Sequence, residues 1–344
     1  MRFLLFAVAC LGFAAMLPAS SGPAVSSKAI LDDRMPRQLS AFGFFNGAAD
    51  RPASALIGYS LRNPLFSDYA EKQRFIYLPE NSRLSVAPSG KVNFPVGSAL
   101  IKSFGYRHDN GHLNIVETRL LLLRKSGWIA LPYVWREDGS DADLKVGGKR
   151  IPVSFTTPRG KRLVISYGVP NKNQCKQCHS SKNQLEPIGP VWPDMIFDSE
   201  ATEAAFAARA SFPRNGLYAS AQWDDPASGR LEDRAEAYLA ANCAHCHRPT
   251  GSASNSGLFY DGSLGRYAAS GYKKRPVAAG RGSGGHDFVV DPGHPEKSIL
   301  IHRMKSLDPG VAMPELGRST VHQEGTELLE EWIRSMVDAG TDAN

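Results

Sequence analysis

The sequence predicts an α+β protein in which a β-rich N-terminal region precedes a mainly α-helical C-terminal region. Short apolar runs broken by turn residues fill residues 41–170, whereas helical periodicity is confined to the later part of the chain. Apolar residues make up 42% of the 344 residues, enough for a packed core, which excludes a largely disordered chain. The formal net charge of +6 is too mild to indicate a nucleic-acid partner.

Residues 1–21 have the pattern of a secretory signal peptide. Arg2 precedes an apolar run from Phe3 to Leu17, and small residues then favour cleavage after Ser21. This run is short for a membrane span and no later segment reaches 18 apolar residues, so we expect an exported protein without a membrane span once the signal is removed. An uncleaved anchor and lipidation at Cys10 are the alternatives.

The next segments are assigned from their apolar patterns. Residues 22–40 have little apolar periodicity and are interpreted as a flexible linker. The run Leu120–Leu123 favours a strand that is covered on both faces. Strands of the β-rich domain, 41–170, are predicted at 75–78, 99–106, 113–123, 128–135, 151–156 and 162–167, and the last four form two hairpins.

Helical spacing marks the rest of the chain. Residues 171–226 hold the first cysteine pair, a Pro-rich loop and an Ala-rich helix around 199–210. Residues 228–340 are predicted to form a separate helical unit, with apolar periodicity at 231–239 and 328–336. Its Gly-rich basic loop, 273–285, is interpreted as a solvated loop, with docking of an acidic partner or of haem propionates as the alternative.

Four of the five cysteines form two identical motifs, Cys175-Lys176-Gln177-Cys178-His179 and Cys243-Ala244-His245-Cys246-His247. Cys-x-x-Cys-His is the attachment signature of c-type haem: the thiols add to the two vinyl groups and the histidine binds the iron. Chance would produce one such motif roughly 0.002 times in this composition and two about 10⁻⁶ times. The sequence therefore predicts two covalent haem c groups, held by Cys175, Cys178, Cys243 and Cys246, with His179 and His247 as axial ligands.

Other uses of paired cysteines fit less well. A dithiol redox pair usually occurs once, near a βαβ pattern, and needs no histidine. A four-cysteine zinc ribbon favours roughly 15–20 residues between the pairs, whereas 64 residues separate Cys178 from Cys243. Disulfides form in an oxidising compartment but explain neither His179 nor His247.

The second motif lies in a characteristic order of elements. A predicted helix ends at Asn242, the motif follows, Met313-Pro314 lies in a loop, and a terminal helix closes the chain. This order is similar to that of class I cytochromes c, in which methionine is the sixth iron ligand. Met313 is therefore the predicted ligand of the second haem, Met304 is the alternative, and core filling is the ordinary role of such a side chain.

The surroundings of the first haem are less determined. In class I cytochromes a proline carbonyl accepts the ring N–H of the proximal histidine, which favours Gly189-Pro190 as the partner of His179. The sixth ligand stays open among Met195, His108 and His112, or the position carries no protein ligand. An open position would permit binding of small ligands or peroxide chemistry.

Seven short segments occur in an order that is typical of one family: Asn63–Tyr69, Phe94–Gly97, Glu117–Leu121, Pro132–Trp135, Val169–Asn171, Pro187–Pro190 and Met313–Arg318. With the two haem motifs they resemble a family of proteobacterial periplasmic di-haem c-type cytochromes of unassigned role, often encoded beside a parallel β-helix repeat protein. The resemblance covers roughly residues 41–338, and the segment 191–195 departs from the family pattern. It implies electron transfer in the periplasm and names no substrate.

Three functions are therefore predicted from the sequence. The first is a periplasmic electron-transfer cytochrome whose partners are redox proteins, with a periplasmic enzyme or a parallel β-helix protein among the candidates. The second is a haem peroxidase or small-molecule oxidoreductase that works at an open first haem. In the third, the β-rich region binds a ligand or a protein and the haems are structural.

Overall fold

A computed structural model describes residues 24–181, 184–214, 217–262 and 270–336, so the predicted signal peptide and Cys10 lie outside the described residues. Helices account for 25% and strands for 28% of the chain, and a large antiparallel sheet is present, which confirms a mixed α and β class. Within the described residues the α-helices are α1 (Ser27–Leu31), α2 (Lys172–His179), α3 (Glu200–Ala208), α4 (Leu231–Asn242), α5 (Ile299–Lys305) and α6 (Gln323–Ser335).

The strands are β1 (Leu56–Leu61), β2 (Glu71–Tyr77), β3 (Leu84–Val86), β4 (Val92–Asn93), β5 (Ala99–Arg107), β6 (Leu113–Arg124), β7 (Gly127–Trp135), β8 (Ala142–Leu144), β9 (Lys149–Thr156), β10 (Arg162–Val169), β11 (Ser180–Ser181), β12 (Gln184–Leu185), β13 (Met195–Ile196) and β14 (Ala210–Ser211). The main sheet has seven strands in the order β13-β1-β2-β5-β6-β7-β8, and all its neighbours are antiparallel. The predicted strands are confirmed as β2, β5, β6, β7, β9 and β10.

Alternation along the strands gives the main sheet two different faces. On one face Leu120 and Leu122 pack with Ile101 and Tyr133 in the largest apolar cluster. On the other face Leu121 joins a second apolar cluster beside β3, β13 and α3. The prediction that the four-leucine run is covered on both faces is confirmed.

The segment interpreted as a flexible linker, 22–40, is instead part of the core over its described residues. Ser26 caps α1 by accepting the Ala29 N–H at 3.2 Å, and Ile30 and Leu39 are buried in the largest cluster. Arg124 donates to the Ile30 carbonyl at 2.9 Å, which ties this segment to β6. A few well-placed apolar side chains are enough to dock a short segment, and such spacing leaves no periodic signal.

The helical unit packs α4, α5 and α6 around one apolar cluster. Leu239 of α4, Ile301 of α5, and Leu329 and Trp332 of α6 are buried in it. Gly325 of α6 lies against the Tyr238 ring, where any Cβ would clash, so only glycine permits this approach. The helices predicted from the periodicity at 231–239 and 328–336 are confirmed.

The loop Asn63–Tyr69 joins the β-rich region to the helical unit. The Phe66 N–H donates to Asn242 Oδ1 at 2.8 Å, one residue before the second cysteine pair. Asp68 is buried and accepts the N–H groups of Ser319 and Thr320 at 2.6 to 2.8 Å. The loop therefore holds both the start of the second motif and the segment after Met313.

Candidate functional site

The first motif lies on a short, well-capped helix. Asn171 Oδ1 accepts the Gln174 N–H, and the Gln174 side chain accepts the Asn171 N–H, each at 2.9 Å, so α2 begins with a capping box. Cys175, Cys178 and His179 stand at positions i, i+3 and i+4 of this helix. They therefore share one face, as attachment of a single haem requires.

His179 is oriented by a backbone carbonyl. Its Nδ1 donates to Glu186 O at 3.0 Å, since a carbonyl can only accept, and this leaves Nε2 as the lone-pair nitrogen. The prediction that the Pro190 carbonyl fills this role is wrong, because Nδ1 is engaged by Glu186 O; the Pro190 carbonyl accepts the Val92 N–H at 3.3 Å. Burial lowers the pKa of His179 to about 4, which keeps the ring neutral.

The second motif lies in a turn at the end of α4. The N–H groups of Cys246 and His247 both donate to the Cys243 carbonyl, at 3.1 and 2.9 Å, and fold the motif back on itself. His247 Nδ1 lies 3.2 Å from Ser256 Oγ. Because that hydroxyl donates its own proton to Ala253 O at 2.7 Å, it accepts from His247, and Nε2 is again the free nitrogen.

The two motifs face each other in space. The sulfurs of Cys178 and Cys246 and a ring nitrogen of His245 all lie within 4.8 Å of one another. Arg248 Nη2 donates to Ser180 O at 3.1 Å and joins the residues that follow each motif. The structure thus combines the two predicted haem sites into one region.

The thiols differ in acidity because of this juxtaposition. All four are free. A hydrogen bond from the Cys178 thiol is the main cause that lowers the pKa of Cys246, and the same hydrogen bond raises the pKa of Cys178. Burial raises the pKa of Cys243 to about 12 and also raises that of Cys175.

His245 is a site residue that the sequence did not single out. It occupies a variable position of the second motif and is buried, with no hydrogen-bond partner for its Nδ1. His245 is recognised as a site residue only in the structure, where its ring nitrogen lies within 4.8 Å of the Cys178 sulfur. The group Cys178, His245 and Cys246 has the donor types of a transition-metal site.

Met313 lies in a loop that is held from several sides. Its N–H donates to Arg303 O at 3.0 Å, at the end of α5. Arg318 donates to Pro314 O at 3.2 Å and to Ser306 O at 2.8 Å, which closes the loop on itself. The alternative ligand, Met304, is buried in the helical core cluster, where it fills space.

The candidate sixth ligands of the first haem are scattered. Met195 of β13 is buried in the cluster beside α3, which gives it an ordinary packing role. His108 and His112 lie exposed in the turn between β5 and β6, where the His108 N–H donates to His112 O at 2.9 Å. The structure brings none of these three side chains into a described contact with His179.

The donor set fits covalent haem. Each motif supplies two thiols and an imidazole whose Nδ1 is engaged, which leaves the lone pair on Nε2, the nitrogen that a haem iron would need.

Comparison with models of known families, with curated proteins and with solved structures finds no match for this chain. Among the helices of the described ranges, none combines the length and the apolar character that a membrane span needs.

Proposed function

We propose that the chain is a periplasmic di-haem c-type cytochrome that carries electrons between a redox partner and an acceptor. The observation that carries the proposal is the matched state of the two proximal histidines. In both motifs Nδ1 donates to a fixed oxygen, of Glu186 or Ser256, and Nε2 is left to bind metal. A disulfide or a dithiol pair would not require this arrangement twice.

Haem c, once attached, supplies a one-electron Fe(III)/Fe(II) couple. The chain supplies the thiols Cys175, Cys178, Cys243 and Cys246 for attachment, and His179 and His247 for the iron. Because Cys178 and Cys246 are close together in the fold, the two haems would be attached at neighbouring points in space. Such an arrangement favours passage of an electron from one haem to the other.

The helical unit is proposed to be a class I cytochrome c-like domain with Met313 as its sixth ligand. Support comes from the order α4, motif, loop, α5, Met313 and α6, and from the packing of α4 on α6 through Tyr238 and Trp332. The β-rich region then serves as the docking part for redox proteins, a periplasmic enzyme or a parallel β-helix protein among them.

A redox titration of the purified mature chain, followed by optical absorption, tests the proposal. Two reversible one-electron steps and two low-spin haems are expected. A high-spin haem that binds cyanide or peroxide would instead favour the alternative function, a peroxidase or small-molecule oxidoreductase at the first haem. A chain without a redox-active chromophore would contradict both functions.

A second candidate is a metal site at Cys178, His245 and Cys246, favoured by their mutual distances of at most 4.8 Å. Attachment of haem would turn the Cys178 and Cys246 thiols into thioethers, and the metal site needs them as thiolates. Haem attachment and this metal site therefore exclude each other. Metal analysis beside a haem assay separates them. Zinc or another transition metal at one ion per chain, with no haem, would favour the ion site.

A further inference from the structure

Four cationic side chains lie together on one face of the main sheet. Arg74 of β2 is paired with Lys102 of β5, and Lys102 is paired with Arg119 of β6. Lys72 precedes Arg74 by two residues and therefore shares its face. Like charges directly opposite one another destabilise a sheet, so packing alone does not account for this arrangement.

This group, the cationic strip, lies between two apolar clusters of the same face. Ile76 and Leu100 belong to the cluster on one side, and Phe104 and Tyr106 belong to the cluster on the other. The Arg74 side chain is buried, and its Nη2 has no hydrogen-bond partner. The charged groups of Lys102 and Arg119 lie 4.9 and 4.1 Å from the Phe104 ring centroid.

The carboxylates near the strip are already engaged. Glu117 is fully buried, and it accepts from Arg119 at 2.7 Å and from the Tyr167 hydroxyl at 2.6 Å. Asp68 accepts from Ser319 and Thr320. In this part of the described chain, two carboxylates therefore face four cations.

The excess of positive charge is energetically costly. A buried cation without a partner is strongly unfavourable unless an anion compensates it. Burial and the neighbouring cations lower the pKa of Lys72 to about 7 and lower the pKa of Lys102 well below its usual range, so without an anion these lysines tend to lose their protons. A bound anion would hold them in the charged form.

We propose that the cationic strip is an anion-binding site for a carboxylate or a small oxyanion. The strip lies near the first motif, because α2 packs on β7, which is the neighbour of β6 in the main sheet. The carboxylate has two sources, a propionate of a haem on the first motif or a free anion. The propionate source rests on the proposed function, whereas the free-anion source does not.

The test uses the purified full mature chain and the variant Lys102→Met. Lys125→Met is the matched control, because Lys125 is exposed in the turn between β6 and β7. Isothermal titration with phosphate and with acetate measures binding of free anions. A redox titration of the same proteins measures the two haem potentials.

A free anion as the occupant predicts saturable binding of phosphate or acetate that Lys102→Met weakens at least about tenfold, with both potentials unchanged. A propionate as the occupant predicts no saturable binding, but a fall in one haem potential in Lys102→Met alone, because loss of a nearby cation favours ferric iron. Absence of both effects would overturn the proposal.

Two further variants guard against misfolding of Lys102→Met. Lys102→Arg keeps the charge and is expected to behave as the unaltered chain, and Arg74→Gln is expected to repeat the effect of Lys102→Met. A haem count of zero would contradict the proposed function and leave anion binding measurable on the same protein. Failure of the proposed function and failure of the anion-site proposal can therefore be told apart.

Discussion

The two haem motifs have the same sequence pattern but different surroundings. The first lies on the capped helix α2, which packs on β7 of the main sheet, and a backbone carbonyl orients His179. The second lies in a turn that continues into the apolar helical cluster, and a hydroxyl orients His247. The proposed attachment chemistry would thus lie in two different environments, so we expect two haems of unequal potential.

The largest expected effect separates the two motifs directly. Replacing Cys175 and Cys178 by alanine removes the thioethers of the first motif only, so the haem content should fall from two to one per chain. Replacing Cys243 and Cys246 should give the complementary one-haem protein. Mass spectrometry of the haem peptides checks which motif is loaded, and loss of both haems in either double variant would contradict independent attachment.

The next prediction concerns the second haem alone. Met313→Ala should remove the weak red absorption band of a His/Met ferric haem and lower one potential, because a thioether ligand raises the haem potential. The other potential should not change. Met304→Leu is the control, since Met304 fills the helical core. An unaltered spectrum of Met313→Ala would exclude it as a ligand.

Asp68 connects the β-rich region to the loop that follows Met313. Asp68→Ala leaves the N–H groups of Ser319 and Thr320 and the Thr320 hydroxyl without their acceptor. A loss of about 4 kcal/mol in the free energy of unfolding is expected. Asp68→Asn should lose less, because it keeps one acceptor oxygen and asparagine tolerates the positive φ of 50° at this position. Urea denaturation of both variants measures the difference, and equal losses would contradict the assigned contacts.

The smallest predicted effect is a pH dependence at the junction of the two regions. His322 stacks on Phe66 with a centroid distance of 4.1 Å, and burial lowers its pKa to about 4. The unfolded chain therefore binds the proton first as the pH falls, and stability is lost from about pH 6.5 down to about pH 4, by about 3 kcal/mol. This stability is fully present above pH 6.5.

Urea denaturation at several pH values compares the unaltered chain with His322→Gln. The variant should be less stable near neutral pH and should lose less stability across the same window. His294→Gln is the control, because His294 is exposed. A pH dependence identical in His322→Gln and in the unaltered chain would contradict the role of burial.

The sequence predicted the parts of the fold that have a local period. Strands such as β6, with its four leucines, and the terminal helix followed from alternation and from helical spacing. The docking of Ile30 and Leu39 did not, because isolated apolar residues give no periodic signal. The sequence predicts the Pro190 carbonyl as the partner of His179, whereas the acceptor in the structure is Glu186 O, which the local path of the chain after α2 brings to the ring.

The candidate site was predictable in its chemistry and not in its arrangement. The spacing within each motif specifies which side chains act together. The closeness of Cys178 and Cys246 depends instead on how α2, which packs on the main sheet, meets the end of α4. The cationic strip needed the strand register, because Arg74, Lys102 and Arg119 lie far apart in the sequence.

The central claim is that both motifs carry covalent haem. A pyridine haemochrome assay on the purified mature chain, with protein concentration determined independently, tests it most directly. Two c-type haems per chain are predicted, together with an intact mass that exceeds the mass of the mature chain by two haems. A count of zero or one would contradict the claim.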